Sequence, residues 1–407
     1  MRTDNTVTIK DAIKLFGPAW IVMMADVDAA SVLTGVADGQ EYGYRLVWLL
    51  LLLTLPLFLI QDAAGRIGAV NNGKGLGSLI RGKFSTSLAL LSSMPMFGVD
   101  VFTYVVEYSG IAVGSLILGI PIYISLPSFF LIHLAIILTK KYTKAEKILL
   151  GISFILMISF IIQAGLRGIV PNQQIFYFSS SPSFIFLVAA NIGAVIMPFM
   201  LFYQASATAY KYIDANSSSE VKVRWSSYET IIGAIVSEAL MVAIELATTG
   251  ISKSVDPLNY EQVSQALSII SGNLSPYIFG IGLISAGFLA LIVESFGSAW
   301  GTLESLNKYD PYDEKSYKNL VWLYLTESVP ALIVVMIFSN NFDKIVNFVL
   351  TLMSISPIVA LIPAFFIGIL VGDRKIMGDY AYGKTRLIIY WITMALIGIS
   401  GFMSLIY

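Results

Sequence analysis

Apolar residues in this chain do not alternate with polar ones. They come in long runs of about 20 residues divided by short polar connections. A run of that length crosses the hydrocarbon core of a bilayer as an α-helix. Eleven are predicted, at 17–36, 45–65, 86–118, 121–139, 146–165, 184–209, 228–250, 273–303, 319–338, 345–371 and 386–406. The third and eighth exceed a perpendicular span and are expected to tilt or project beyond the bilayer. The longest connections, about 251–272 and 166–183, are too short for a soluble domain. Composition agrees with an all-α integral membrane protein. Of 407 residues 57% are hydrophobic and 13% charged, against about 25% charged in soluble domains.

Basic residues set the orientation. The N-terminus and every second connection after it carry 21 of the 25 Lys and Arg residues; Arg45, Arg167, Lys253 and Lys344 fall on the other face. This places the N-terminus in the cytoplasm and, with eleven spans, the C-terminus outside, in a multi-pass cell-membrane protein. The start, Met1 to Lys14, is polar and lacks a signal-peptide cleavage pattern. A net charge of −1 gives no ground for a nucleic-acid partner, and the absence of cysteine excludes disulfides and thiolate metal sites. The single histidine, His133, is expected to be a packed imidazole, since one histidine does not make a zinc site. No HExxH or GxSxG motif supports an intramembrane enzyme.

Two spans carry chemistry that lipid does not tolerate. The first holds Asp26 and Asp28 near its middle, and a carboxylate at bilayer depth costs roughly 2.5–3.5 kcal/mol on insertion scales. With no fixed cation nearby in sequence, such an anion is a natural seat for a mobile one. Two residues apart, the pair would point about 200° apart on an intact helix, so both face one ion only if the segment unwinds. The sixth span contains Pro198, whose missing amide hydrogen frees the Ala194 carbonyl, with the Met197 thioether alongside. A carboxylate, a freed carbonyl and a thioether suit a divalent transition metal better than an alkali ion. Interrupted helices five spans apart are the usual pointer to a transporter's midplane site. Glu107, Glu238, Glu245, Glu294 and Glu327 also lie in or near spans. Of these, Glu107, Glu238 and Glu294, with Asp26, are candidates for the ion pathway or for proton handling.

Residues 17–48 resemble the first span and following loop of the Nramp divalent-metal transporters. Asp28-Ala29-Ala30-Ser31 falls on that family's Asp-Pro-Gly-Asn motif, and Gln40-Glu41-Tyr42-Gly43-Tyr44 follows at the family spacing. Gln61 to Gly68 resembles the end of the second span, Glu107 with Gly119 to Ile122 the third, Gly193 to Phe199 the sixth, and Ala360 to Pro363 the tenth. The resemblance implies a LeuT-like fold. Two inverted five-helix repeats, helices 1–5 in 1–165 and 6–10 in 184–371, would precede a final helix at 386–406, with helices 1 and 6 interrupted. It also implies Ser31 as a fourth metal-site residue beside Asp28, Ala194 and Met197. The chain departs from the family at several points. Ser31 replaces the Asn and Ala29-Ala30 the helix-breaking Pro-Gly, so unwinding of the first span is less assured. Phe199 replaces a His, and Tyr104 an Asp of the family's proton route.

The reading that follows is a monomeric secondary transporter of divalent metal, Mn²⁺ or Fe²⁺, with weak or absent proton coupling and no cofactor beyond its cargo. The alternatives are a Mg²⁺ transporter of the Nramp-related branch, and an amino-acid or Na⁺-coupled carrier of the same architecture. Retention of Met197 weighs against magnesium, which gains nothing from sulfur.

Overall fold

The computed structural model describes residues 9–71, 73–139, 142–311, 313–338 and 343–404. Of the basic residues used above, Arg2, Lys140 and Lys141 lie outside the described residues, as do the side chains of Lys10 and Lys344; so does the end of the expected eleventh span. The described residues are helical, without strands. A short α1 (Ile9–Leu15) leads into α2 (Pro18–Ala25) and α3 (Ala29–Tyr42), then α4 (Val47–Val70) and the short α5 (Leu76–Lys83). Next come α6 (Thr86–Ile117), α7 (Ile122–Ile137), α8 (Tyr142–Arg167), α9 (Pro182–Val195) and α10 (Pro198–Tyr212). The remainder is α11 (Ser219–Thr248), α12 (Tyr260–Ser271), α13 (Ser275–Ser305), α14 (Glu314–Phe338), α15 (Asp343–Gly372), α16 (Arg374–Met377) and α17 (Lys384–Ser404).

Among the described residues eight helices are long and apolar enough to cross a membrane, counting α9 with α10 as one; two bent pairs raise this to ten. The expected fourth span is α7, which is apolar but only 16 residues long. The 251–272 connection is not simply a loop. Asn259 accepts from the Gln262 amide at 3.1 Å and starts α12, the N-cap chemistry that satisfies an orphan donor.

Burial sorts the helices into shells. Residues of α2, α10 and α13 are almost all buried, whereas α8 and α17 expose isoleucine and leucine side chains outward, as lipid-facing helices must. The central α13 packs on α6, α8 and α10, and α11 packs on α4, α3, α8 and α2. Close approach is set by glycine. A Cβ on Gly68 of α4 would lie 2.1 Å from the Ala205 carbonyl oxygen of α10.

The last helix is held by a buried carboxylate. Asp62 Oδ2 of α4 accepts from Tyr382 OH and Arg386 Nη2, both at 2.6 Å, while Ser227 Oγ donates to Oδ1 and Arg66 Nε lies 3.5 Å away. Removing one partner of such a network leaves charges uncompensated. Asp62→Ala is therefore expected to lower stability by about 3 kcal/mol, read as a drop in the thermal midpoint in detergent. An unchanged midpoint would mean that apolar packing alone docks α17.

Candidate metal site

The first span breaks where the two aspartates stand. Helix α2 ends at Ala25, α3 begins at Ala29, and their axes differ by 48°. The Ala29-Ala30 pair does not keep the span straight, because side chains replace the lost helical bonds. Asp28 is the N-cap of α3: its Oδ1 accepts from the Ser31 amide at 2.6 Å. Glu107 Oε2, from α6, accepts from the Ala29 amide at 3.0 Å, so the Ala25 carbonyl loses its helical donor. Ser31 Oγ donates to the Asp26 carbonyl at 2.7 Å. At the other end of α2, Glu229 Oε1 of α11 accepts from the Gly17 and Trp20 amides at 2.7 and 2.9 Å. Two side-chain carboxylates, Asp28 and Glu107, thus do at this break what proline and glycine do by removing helix propensity.

The sixth span breaks between Val195 and Pro198. Ile196 (φ −128°, ψ 81°) leaves the helical region and Met197 (φ −93°, ψ 143°) is extended, and Ala194, Met197 and Phe199 are buried. Helix α2 packs against α10 and α3 against α9, so the two broken spans run antiparallel with their interruptions level. Each interruption joins a carbonyl-bearing helix end to an amide-bearing one. At the first break two carboxylates already occupy the amide end of α3.

Asp28 is fully buried, and its Oδ2 has no hydrogen-bond partner; neither does Glu107 Oε1. Unlike Asp28, Asp26 turns to α11. Its Oδ2 accepts from Ser237 Oγ at 2.5 Å, its Oδ1 has no partner, and Glu238 stands close enough to repel it with both oxygens unpartnered. The unwound segment therefore gives the two aspartates different neighbours. Glu294 of α13 is buried with both oxygens unpartnered, near Asp100, Glu107 and Asp28. Glu327 Oε1 accepts from Ser298 Oγ at 2.5 Å. Tyr104 OH bonds Ser295 Oγ, which also meets His133 Nε2 at 3.0 Å; His133 is the packed imidazole expected, its ring 4.4 Å from that of Tyr324. Among the described residues no three His, Cys, Asp or Glu side chains are placed to hold one metal ion. An ion at Asp28 needs carbonyl, hydroxyl, thioether or water ligands as well.

Among the buried acids that sequence reasoning passed over are Asp38, Asp100 and Glu229. Asp100 lies inside the expected third span, where the depth argument applied to Glu107 holds equally. Asp38 falls two residues past the expected end of the first span, although α3 continues to Tyr42. Glu229 sits at the edge of the expected seventh span, and only the fold shows that it caps α2.

A membrane-embedded helical chain whose two antiparallel broken spans bring a buried acid and freed carbonyls to one level has the architecture of a secondary transporter. Residues 19–407 match the family model described as natural resistance-associated macrophage protein-like, Nramp. The divalent metal cation transporter MntH of Bacillus subtilis (strain 168) is 24% identical over 405 residues, covering 95% of this chain and 90% of that protein. The crystal structure of a manganese transporter from Eremococcus coleocola, bound to an aromatic bis-isothiourea compound, superposes with a TM-score of 0.79 at 18% identity over 98% of this chain and 89% of that one. Mhp1, a nucleobase-cation-symport-1 transporter, closed with bromovinylhydantoin bound, gives 0.52 at 14% identity, over 95% and 90%. These two structures show the shared LeuT-like fold. The chain belongs to the Nramp family of divalent-metal transporters, a family of carriers rather than enzymes.

If Glu107 anchors the break by accepting the Ala29 amide, Glu107→Ala should destabilise the protein by about 1–2 kcal/mol. Glu107→Gln, which keeps a carbonyl oxygen there, should cost less. Thermal unfolding of the two variants side by side checks this; equal losses would place the effect in the charge rather than the acceptor.

Proposed function

We propose that this protein carries Mn²⁺ or Fe²⁺ across the cell membrane by alternating access, with weak or absent proton coupling. The observation that carries the reading is the unpartnered Asp28 Oδ2, fully buried at a helix break that lies level with the break beside Met197. Asp28 supplies the charge, and Ser31 Oγ, the Ala194 carbonyl and Met197 Sδ complete the shell with water. The names of the relatives, a divalent metal cation transporter and a manganese transporter, favour this cargo over an organic substrate. The thioether favours a transition metal over magnesium. The N-terminus is taken as cytoplasmic and the C-terminus as outside. The spans before residue 165 and those of 184–371 are taken as the two repeats that rock about the site in a monomer.

A divalent ion entering at −100 mV gains about 4.6 kcal/mol, twice the roughly 2.3 kcal/mol per charge, so uptake needs no second ion. Phe199 and Tyr104, in place of titratable groups, support that view. Asp100, buried with both oxygens unpartnered and close to Glu294, favours a second reading in which a proton travels with the metal. Liposomes loaded with a pH dye and a metal indicator separate the two. Uncoupled transport moves Mn²⁺ without acidifying the lumen; acidification in step with flux supports proton cotransport.

In the same liposomes Asp28→Ala should abolish Mn²⁺ flux, and retained flux would remove the central claim. Met197→Ala should leave flux in place but narrow the preference for Mn²⁺ over Mg²⁺ or Ca²⁺ by about tenfold, the worth of a 1.4 kcal/mol contact. Competition by excess Mg²⁺ reads that change directly.

A further inference from the structure

A second group of oxygens stands on α3, away from the break. Asp38 is fully buried and neither of its carboxylate oxygens has a hydrogen-bond partner. Glu245 of α11, equally buried, lies within electrostatic range of it; Glu245 Oε1 accepts from the Leu46 amide at 3.1 Å and Oε2 has no partner. The third member is neutral. Asn191 of α9, also 0% exposed, is near enough for its side-chain amide to favour the Asp38 carboxylate, though at a separation longer than a hydrogen bond. Its Nδ2 donates to the Leu187 carbonyl at 2.9 Å, which fixes the amide and leaves Oδ1 without a donor.

The group therefore presents four vacant acceptors, Asp38 Oδ1 and Oδ2, Glu245 Oε2 and Asn191 Oδ1. Among the described residues no Lys or Arg makes an ion pair with either acid. A proton shared by the two acids would satisfy one acceptor pair and leave Asn191 Oδ1 bare. A cation carrying some of its water satisfies all four. Helices α3 and α11 are held tightly at this level, since a Cβ on Gly39 would lie 2.7 Å from the Glu245 carbonyl oxygen.

The position is also connected to the break. Ser31, Thr34 and Asp38 recur at intervals of three and four and share one face of α3, and all three are buried. Ten residues of helix put Asp38 about 15 Å from Asp28. All donors here are hard oxygens with no sulfur among them, which suits a hard or borderline divalent cation and does not select Mn²⁺ over Mg²⁺.

We propose that Asp38, Glu245 and Asn191 form a second divalent-cation site, occupied by the ion on its way between one membrane face and the helix breaks. The proposal deepens the transport reading above and rests on it for the identity of the cation; in the orientation taken there, this is the outer side. The site would gather cations with little discrimination, leaving selection to the thioether at the break.

The test is Mn²⁺ binding to the purified full chain in detergent, counted by loss of the free-Mn²⁺ electron paramagnetic resonance signal. Wild type should bind two ions per chain, with a dipolar interaction matching a separation of about 15 Å. The D38N/E245Q double variant, which keeps a carbonyl oxygen for the Leu46 amide, should bind one and lose the dipolar signal. Asp28→Asn should also bind one. Asn191→Ala, a smaller change that guards against misfolding of the double variant, should weaken the second ion about tenfold. Excess Mg²⁺ should displace the ion at Asp38 before the one at Asp28. A wild-type stoichiometry of one, or D38N/E245Q and Asn191→Ala proteins that bind Mn²⁺ as wild type does, would overturn the proposal. Loss of an ion in D38N/E245Q with none in Asp28→Asn would sustain this site and instead defeat the reading of Asp28 as the cargo ligand.

Discussion

Backbone amides and carbonyls within a bilayer have no water to bond, so a helix interrupted there must find other partners for every group it frees. This chain meets that demand at the first break with acids. Asp28 and Glu107 take amides at the start of α3, and the Ser31 hydroxyl returns a donor to the Asp26 carbonyl. A carboxylate that accepts an amide with one oxygen keeps a second oxygen, and at Asp28 and Glu107 that oxygen is buried without a donor. Solving the backbone problem with acids thus leaves buried acceptor oxygens without a donor.

The distribution of charge follows the same logic. Ion pairs gather near helix ends: Lys211 with Glu146 at 2.6 Å, Lys253 with Glu41 at 2.5 Å, and Lys83 with Asp373. Asp28, Asp100, Glu238 and Glu294 lie deep in spans and Asp38 is buried near the end of α3, and none has an ion-pair partner among the described residues. Burying unpaired carboxylates is expensive, and that cost is tolerable where each acid is either protonated or visited by a mobile cation. Around them, α13 and α11 form a closely packed frame in which glycines let backbones approach, the small-residue packing typical of membrane helices. A rigid frame and two broken spans crossing it are what a rocking carrier requires.

The sequence by itself determined a great deal, because hydrocarbon imposes one strong rule that is visible along the chain. Apolar runs gave the helices; acids at depth gave Asp28 and Glu107; Pro198 gave the second interruption; and the motif order gave the family. What it left open lay across space. Ala29-Ala30 made the expected interruption of the first span less assured, since nothing local breaks it; the acceptor for the Ala29 amide comes from α6, 78 residues away. Asp26 and Asp28 are two residues apart, yet Asp26 accepts from Ser237 of α11 while Asp28 caps α3 itself, a division that follows from helix packing and not from spacing. Asp38 comes near Glu245 and Asn191 only because α3 packs on both α11 and α9. Local pattern decides which segments leave water, since transfer to lipid acts residue by residue. Only the tertiary structure decides which buried oxygen finds a donor and which stays vacant, since that depends on partners distant in the chain.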